Sequence, residues 1–176
     1  MNYYTLKIDK ITRQLPIISI GANLKVASVN LLGDTELVEL VAKKLLIKLK
    51  NLKFDYFVGP EVKVVPLLHT LSRLSKSNRY VVCRKNIYGY MVSPVKTNLK
   101  NHFVINGPDV NLLKGKRVVI VDDVVTTGST FYAIEKLMEQ IGAKVVGKVA
   151  VFKQGDNLHV NNENTIFVSS LPTFTT

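Results

Sequence analysis

The chain has 176 residues, the length of one domain, and its 24 Lys and Arg outnumber 13 Asp and Glu to give a net charge of +11. Hydrophobic residues make up 47% and charged residues 21%, which supports a globular core and excludes a disordered chain. No apolar run reaches the ~18–20 residues of a membrane span, no signal-peptide core opens the sequence, and the single Cys83 excludes an internal disulfide.

Residues 3–8, 15–20 and 24–29 read as short strands that stand apart from the rest of the chain. Leu37, Val38, Val41, Leu45 and Leu49 then recur at helical spacing. Asp34 is placed to cap that helix, with Glu36 and Glu39 near its positive start and Lys43, Lys44 and Lys48 toward its far end. Residues 54–59 predict a strand ending at Gly59-Pro60. Leu67, Leu68, Leu71 and Leu74 predict a second helix, and residues 80–83 a short strand. Residues 88–107, with Gly89, Pro94 and Gly107, read as a long loop of the functional or mobile kind.

The run Arg117-Val118-Val119-Ile120-Val121 has an unbroken β-branched stretch and predicts a strand buried on both faces. A helix bearing Phe131, Ile134, Leu137, Met138 and Ile141 comes next, with Gly142 where it should stop. Strands are expected at 144–152 and 165–169. Such alternation predicts an α/β fold: a parallel sheet flanked by helices, with ligands at the carboxyl ends of its strands. The expected division is a strand-rich appendage at 1–33 and a core at 34–176.

Lys and Arg are spread along the chain in blocks of at most two, with no arginine-rich tail. The charge is open to three readings: nucleic-acid binding, a lysine-rich composition, or small polyanionic substrates. His69, His102 and His159 are too far apart to make a metal-ligand motif.

Chemistry concentrates in residues 118–130, Val-Val-Ile-Val-Asp-Asp-Val-Val-Thr-Thr-Gly-Ser-Thr. A buried strand delivers Asp122 and Asp123 to the sheet's carboxyl edge, and a helix starts near Ser129. The backbone amides and hydroxyls of Thr126, Thr127, Gly128, Ser129 and Thr130 suit a phosphate monoester at a helix N-terminus. The carboxylates, acceptors only, suit a pair of vicinal hydroxyls. A sugar diol beside a phosphate cradle is a ribose 5-phosphate. Merely capping a turn and a helix is the plainer role for these residues, but two adjacent acids ending a buried strand are costly without a ligand. No G-x-x-x-x-G-K-[ST] or G-x-G-x-x-G competes.

The thirteen-residue segment resembles the phosphoribosyl-pyrophosphate motif of the type I phosphoribosyltransferases at every position. Val58-Gly59-Pro60-Glu61-Val62-Lys63 with Pro66-Leu67, then Val82-Cys83-Arg84-Lys85, and the N-terminal strands, look most like the adenine enzymes. The resemblance implies a type I fold with the first 33 residues as a base-recognising hood. It implies transfer from phosphoribosyl pyrophosphate (PRPP) to adenine, giving AMP and pyrophosphate, in a cytoplasmic homodimer. Mg²⁺ would be held mainly by the substrate and not directly by the protein. Asp122 and Asp123 match the ribose-binding, catalytic acids, Thr126–Thr130 the 5-phosphate loop, and Val124 an apolar contact to the base. Lys63, Arg84 and Lys85 match the pyrophosphate-binding cations, and residues 88–107 the loop that closes over the sugar.

Two departures accompany the match. Val64 stands where the family usually has glycine. Between Asn86 and Gly107 there is no Asp or Glu to donate a proton to the purine, and His102 reads as a surface residue. Glu61 reads as part of a turn. Hypoxanthine or guanine is the alternative base. A PRPP-sensing regulator that binds nucleic acid is the alternative class, against which no helix-turn-helix or RNA-binding signature is found. No membrane partner is expected.

Overall fold

In a computed structural model of the protein, which describes residues 2–155 and 164–175, the chain opens with an antiparallel hairpin. Its strands are β1 (Tyr3–Ile8) and β2 (Ile11–Ser19), and β3 (Leu24–Ala27) pairs against β2. Next come α1 (Thr35–Leu49), β4 (Tyr56–Pro60), α2 (Val65–Leu74) and β5 (Val81–Cys83). A ribbon of β6 (Val95–Lys96) and β7 (Val104–Ile105) leads through the short α3 (Gly107–Leu113) to β8 (Arg117–Val125). The chain finishes with α4 (Ser129–Gln140), β9 (Lys144–Gln154), β10 (Thr165–Leu171) and β11 (Thr173–Thr175). His159 lies outside the described residues.

The core is a five-stranded parallel sheet in the order β10-β9-β8-β4-β5. Alternation along β8 explains how both faces are filled. Val119 and Val121 join Leu67, Leu68 and Leu71 of α2 and the apolar stripe of α1. Val118 and Ile120 point the other way, to Phe131, Ile134, Leu137 and Met138 of α4. The sequence-predicted α/β architecture is therefore the observed one.

From β4 the chain winds outward to β5 on one side, and from β8 to β9 and β10 on the other. The connection reverses between β4 and β8. At such a switch point two loops diverge at the carboxyl ends and leave a crevice.

The strands before residue 28, joined by β11, form a second, antiparallel sheet in the order β1-β2-β3-β11. Its inward residues Leu6, Ile8, Ile11 and Leu15 share the apolar cluster of α1. Arg13 clamps the hairpin to the helix start: its Nε and Nη2 donate to Asp34 at 2.7 and 2.9 Å, and Nη2 also donates to Glu36 at 2.7 Å. Asp34 meanwhile caps the Leu37 N–H at 3.1 Å, as its position predicts. The hydrogen bond from Arg13 is the largest cause holding the Asp34 carboxyl below the usual range.

Two elements depart from the expectations. The last strand of this sheet, β11, comes from the far end of the chain and pairs with β3 through Thr173–Val26 and Thr175–Leu24. Residues 88–107 are not a bare loop. They carry the β6–β7 ribbon, and Val104 bridges back to Arg84 through two 2.8 Å backbone hydrogen bonds.

Gly59 in β4 keeps β4 and β8 close at the switch point. A Cβ there would fall 2.6 Å from the Val121 carbonyl oxygen, and 3.2 Å from side-chain carbons of both Leu68 and Val64. Backbone cannot yield as a flexible side chain can. Gly59→Ala is expected to lower stability by about 1–3 kcal/mol, the usual cost of overpacking, measured by urea unfolding. An unchanged midpoint and slope would show that the strands have room to part.

Candidate active site

Strand β8 continues four residues past its apolar run, so Asp122 and Asp123 lie within its final stretch of pairing and stay at the carboxyl edge. Each carboxylate accepts the N–H of the next residue: Asp122 Oδ1 from Asp123 and Asp123 Oδ1 from Val124, both at 2.9 Å. Asp122 is only 7% exposed. Burial, reinforced by the neighbouring Asp123 charge, pushes its carboxyl well above the ordinary range, with Lys85 opposing.

Across the crevice, the loop between β4 and α2 contributes Pro60, Glu61, Lys63 and Val64, and the segment after β5 contributes Lys85. With Asp122, Asp123, Val124, Thr130 and Phe103 they line a cavity of about 210 Å³. Lys85 Nζ donates to Asn101 Oδ1 at 2.7 Å and lies 3.6 Å from the Phe103 ring centroid. Burial lowers the Lys85 pKa, while the carboxylates of Asp122 and Glu61 work against that shift. Arg84 does not line the cavity; Glu61 ties it to the cavity wall.

Beyond Val125 the chain turns through Thr126, Thr127 and Gly128 into α4. Gly128 is the N-cap at φ +75°, a left-handed conformation that favours glycine, and it brings no capping side chain. Thr127 Oγ1 accepts the Ser129 N–H at 3.4 Å. Residues 126–131, with Asp122, Val124 and Val125, bound a small pocket of about 30 Å³ next to the main cavity. Amide donors and the positive end of a twelve-residue helix converge there, an arrangement that receives an anion.

Lys63, Lys85, Asp122, Asp123, Val124 and Thr130 thus meet around one cavity, and Thr126, Thr127, Gly128 and Ser129 line the adjoining pocket. Val64 is buried, with an ordinary φ of −86°. Its side chain packs toward Gly59, so the turn at this position needs no glycine. His102 does not line the cavity. Nor does any residue of 10–20, the stretch of the N-terminal appendage expected to meet the base; its inward side chains are occupied with α1.

Sequence reasoning missed Phe103 and Asn101, which support Lys85, and undervalued Glu61. The signal for Glu61 was its isolation: it is the only acid between Asp55 and Asp109.

A small pocket at a helix start, a buried pair of acids and two lysines stand together at one switch point. Residues 28–175 match the phosphoribosyl transferase domain family. The chain belongs to the type I phosphoribosyltransferases. Among the relatives of this phosphoribosyltransferase, a protein of Methanothermococcus okinawensis named hypoxanthine/guanine phosphoribosyltransferase is 35% identical over 138 residues, 76% of this chain and 72% of that one. One of Ferroglobus placidus with the same name is 36% identical over 115 residues, 63% of this chain and 59% of that one.

Solved structures agree on the fold. The adenine phosphoribosyltransferase of Thermoanaerobacter pseudethanolicus superposes with a TM-score of 0.72 at 23% identity, covering 89% of this chain and 95% of that one. Another adenine phosphoribosyltransferase gives 0.58 at 26% identity, covering 76% and 77%.

Proposed function

We propose that this phosphoribosyltransferase transfers the ribose 5-phosphate of PRPP to a purine base and releases pyrophosphate. The observation that carries the reading is the convergence at the β4/β8 switch point. There the Asp122–Asp123 pair and the cations Lys63 and Lys85 line one cavity, and the residue 126–130 cradle bounds the pocket that adjoins it. In the transfer, the bond from C1 of the ribose to pyrophosphate breaks and a bond from a purine ring nitrogen to C1 forms. The proton on that nitrogen is released.

The cradle would hold the 5-phosphate, so binding energy remote from C1 orients the reacting centre. Asp122 and Asp123 would accept from the ribose hydroxyls and place negative charge near the cation developing at C1. Lys63, Arg84 and Lys85 would neutralise the departing pyrophosphate. Val124 would contact the base, and the 88–107 segment would cover the sugar and exclude water.

The donor set fits Mg²⁺ as a shared ligand. Two hard carboxylates face the cavity, and among the described residues no cluster of three His, Cys, Asp or Glu could hold a metal alone. Substrate oxygens would provide most of the shell, with Asp122 and Asp123 beside it, and the bound ion would supply positive charge against the leaving group.

For the base, the reading favoured is a 6-oxopurine, hypoxanthine or guanine. The curated relatives bearing those names are the more similar in sequence. Gln154 Nε2, at the end of β9, donates to the Ala27 carbonyl of β3 at 3.2 Å, which ties the strand-rich residues 1–33 to the carboxyl end of β9, where they would recognise the base. Adenine, expected from the local motifs, is the second reading, carried by the 26%-identical adenine enzyme.

The deciding assay measures pyrophosphate release from PRPP and Mg²⁺ with hypoxanthine, guanine and adenine in turn. A 6-oxopurine should lead adenine by about tenfold or more in kcat/KM, because a mismatched donor at a buried site is penalised. Adenine in the lead would reverse the base assignment. Release with no purine would remove the proposal. In the same assay His102→Ala should cost less than about twofold, well below the ~10²–10⁴ of a positioned acid.

A further inference from the structure

Glu61 is the residue on which three segments of the site converge. It directly follows β4, and its backbone N–H donates to the Cys83 carbonyl at the end of β5 at 2.9 Å. Its side chain is only 18% exposed. One carboxylate oxygen accepts from Arg84 Nε. The other accepts the Lys85 backbone N–H at 2.7 Å and lies 3.5 Å from the Tyr88 hydroxyl.

Arg84 is held from its other sides as well. Its guanidinium carbon lies 4.7 Å from the Tyr88 ring centroid, and Tyr88 stacks on Tyr90 with centroids 5.6 Å apart and planes 7° from parallel. Its backbone is bridged to Val104. A carboxylate on Nε fixes the plane of a guanidinium and leaves the Nη pair as a fork of parallel donors. Such a fork matches two oxygens of a pyrophosphate better than a freely rotating arginine would.

Glu61 is also a negative charge beside a site for a polyanion. Its pairing with Arg84 makes that placement tolerable, and it is explained if the carboxylate serves to orient the cation.

We propose that Glu61 is a positioning residue: it orients Arg84 for the substrate's pyrophosphate and, through Tyr88, ties the start of the 88–107 segment to the same point. This rests on the phosphoribosyl-transfer reading. On pyrophosphate Glu61 acts through Arg84, so its effect on pyrophosphate affinity should exist only while Arg84 is present.

The test is a double-mutant cycle with Glu61→Gln and Arg84→Ala, read by calorimetric binding of magnesium pyrophosphate and by KM for PRPP. Glu61→Gln should weaken pyrophosphate binding about tenfold and raise KM for PRPP by a similar factor, with kcat changing less. In the Arg84→Ala background the same change should cost less than about twofold. Ribose 5-phosphate, which would reach the cradle and the Asp122–Asp123 pair but carries no pyrophosphate, should bind to all four proteins within about twofold, which excludes general damage. Should Glu61→Gln fail to fold, Glu61→Asp, which keeps the charge and shortens the reach, replaces it in the cycle.

Tighter pyrophosphate binding by Glu61→Gln, or an equal loss with and without Arg84, would overturn the positioning role. If Arg84→Ala leaves pyrophosphate binding intact, the basic pair is misassigned and the role of Glu61 falls with it. If neither ligand binds the wild-type protein, the transfer reading itself has failed.

Discussion

Asp122→Asn is expected to lower kcat/KM by about 10²–10³-fold while making the protein more stable at neutral pH. In the proposed reaction the activity loss follows from removing a charge that would face the cation developing at C1. Asparagine preserves the shape and can still accept the Asp123 N–H, which Asp122 Oδ1 holds at 2.9 Å. The stability gain follows from the raised carboxyl pKa, whose first cause is burial.

The sign follows from linkage. In the unfolded chain the group ionises near its ordinary 3.8, and in the folded protein only at higher pH. Below 3.8 both states carry the proton and no penalty exists. As the pH rises toward the folded pKa, the unfolded state gains more from ionising and the fold loses stability. Above it the penalty is full and constant. Asparagine cannot ionise, so the melting temperature of Asp122→Asn should exceed that of wild type at about pH 8 and converge with it near pH 3.5. A variant less stable than wild type at the higher pH would mean that the carboxylate has partners able to compensate its burial. Asp123→Asn should match it in lost activity, since the two acids form one acceptor pair.

Gly128→Val should abolish most 5-phosphate binding, by about 10²-fold or more in affinity for ribose 5-phosphate. At φ +75° a β-branched residue is strained, and relaxing the strain moves the amides that open α4. Two or more charge-assisted hydrogen bonds to the phosphate would be lost at once. Gly128→Ala should fall between. Pyrophosphate binding should survive in both variants, because Lys63, Arg84 and Lys85 stand on other loops. Equal losses for both ligands would mean that the substitution had disturbed the whole crevice and not the cradle.

Residues 117–130 were legible because there composition and geometry coincide. A strand filled on both faces must be continuously apolar, and acids that end it must sit at an edge. The flanking helices were legible from the same alternation. What escaped was short or non-local. Thr173, Phe174 and Thr175 form only three pairs' worth of strand, and nothing in their neighbourhood says that they meet residues 24–26. The two-residue strands β6 and β7 lie below any periodicity. Gly107-Pro108 opens α3, yet both residues usually signal a break. Glu61 looked like a turn residue because its partners, Arg84 and Tyr88, lie more than twenty positions away.

The pairing of β11 with β3 bears on how the molecule is completed during synthesis. A ribosome releases the chain from its first residue, and segments fold as they emerge. β1, β2 and β3 can pair early, and the order β9-β8-β4-β5 can assemble once residue 154 is out. The outer edge of β3, however, waits for residues 173–175, about 150 positions later. Until then Leu24–Ala27 presents open hydrogen-bonding groups of the kind that invite pairing with another chain. These late-translated residues therefore act as a clasp, and the antiparallel sheet that leans on α1 is sealed only when they arrive.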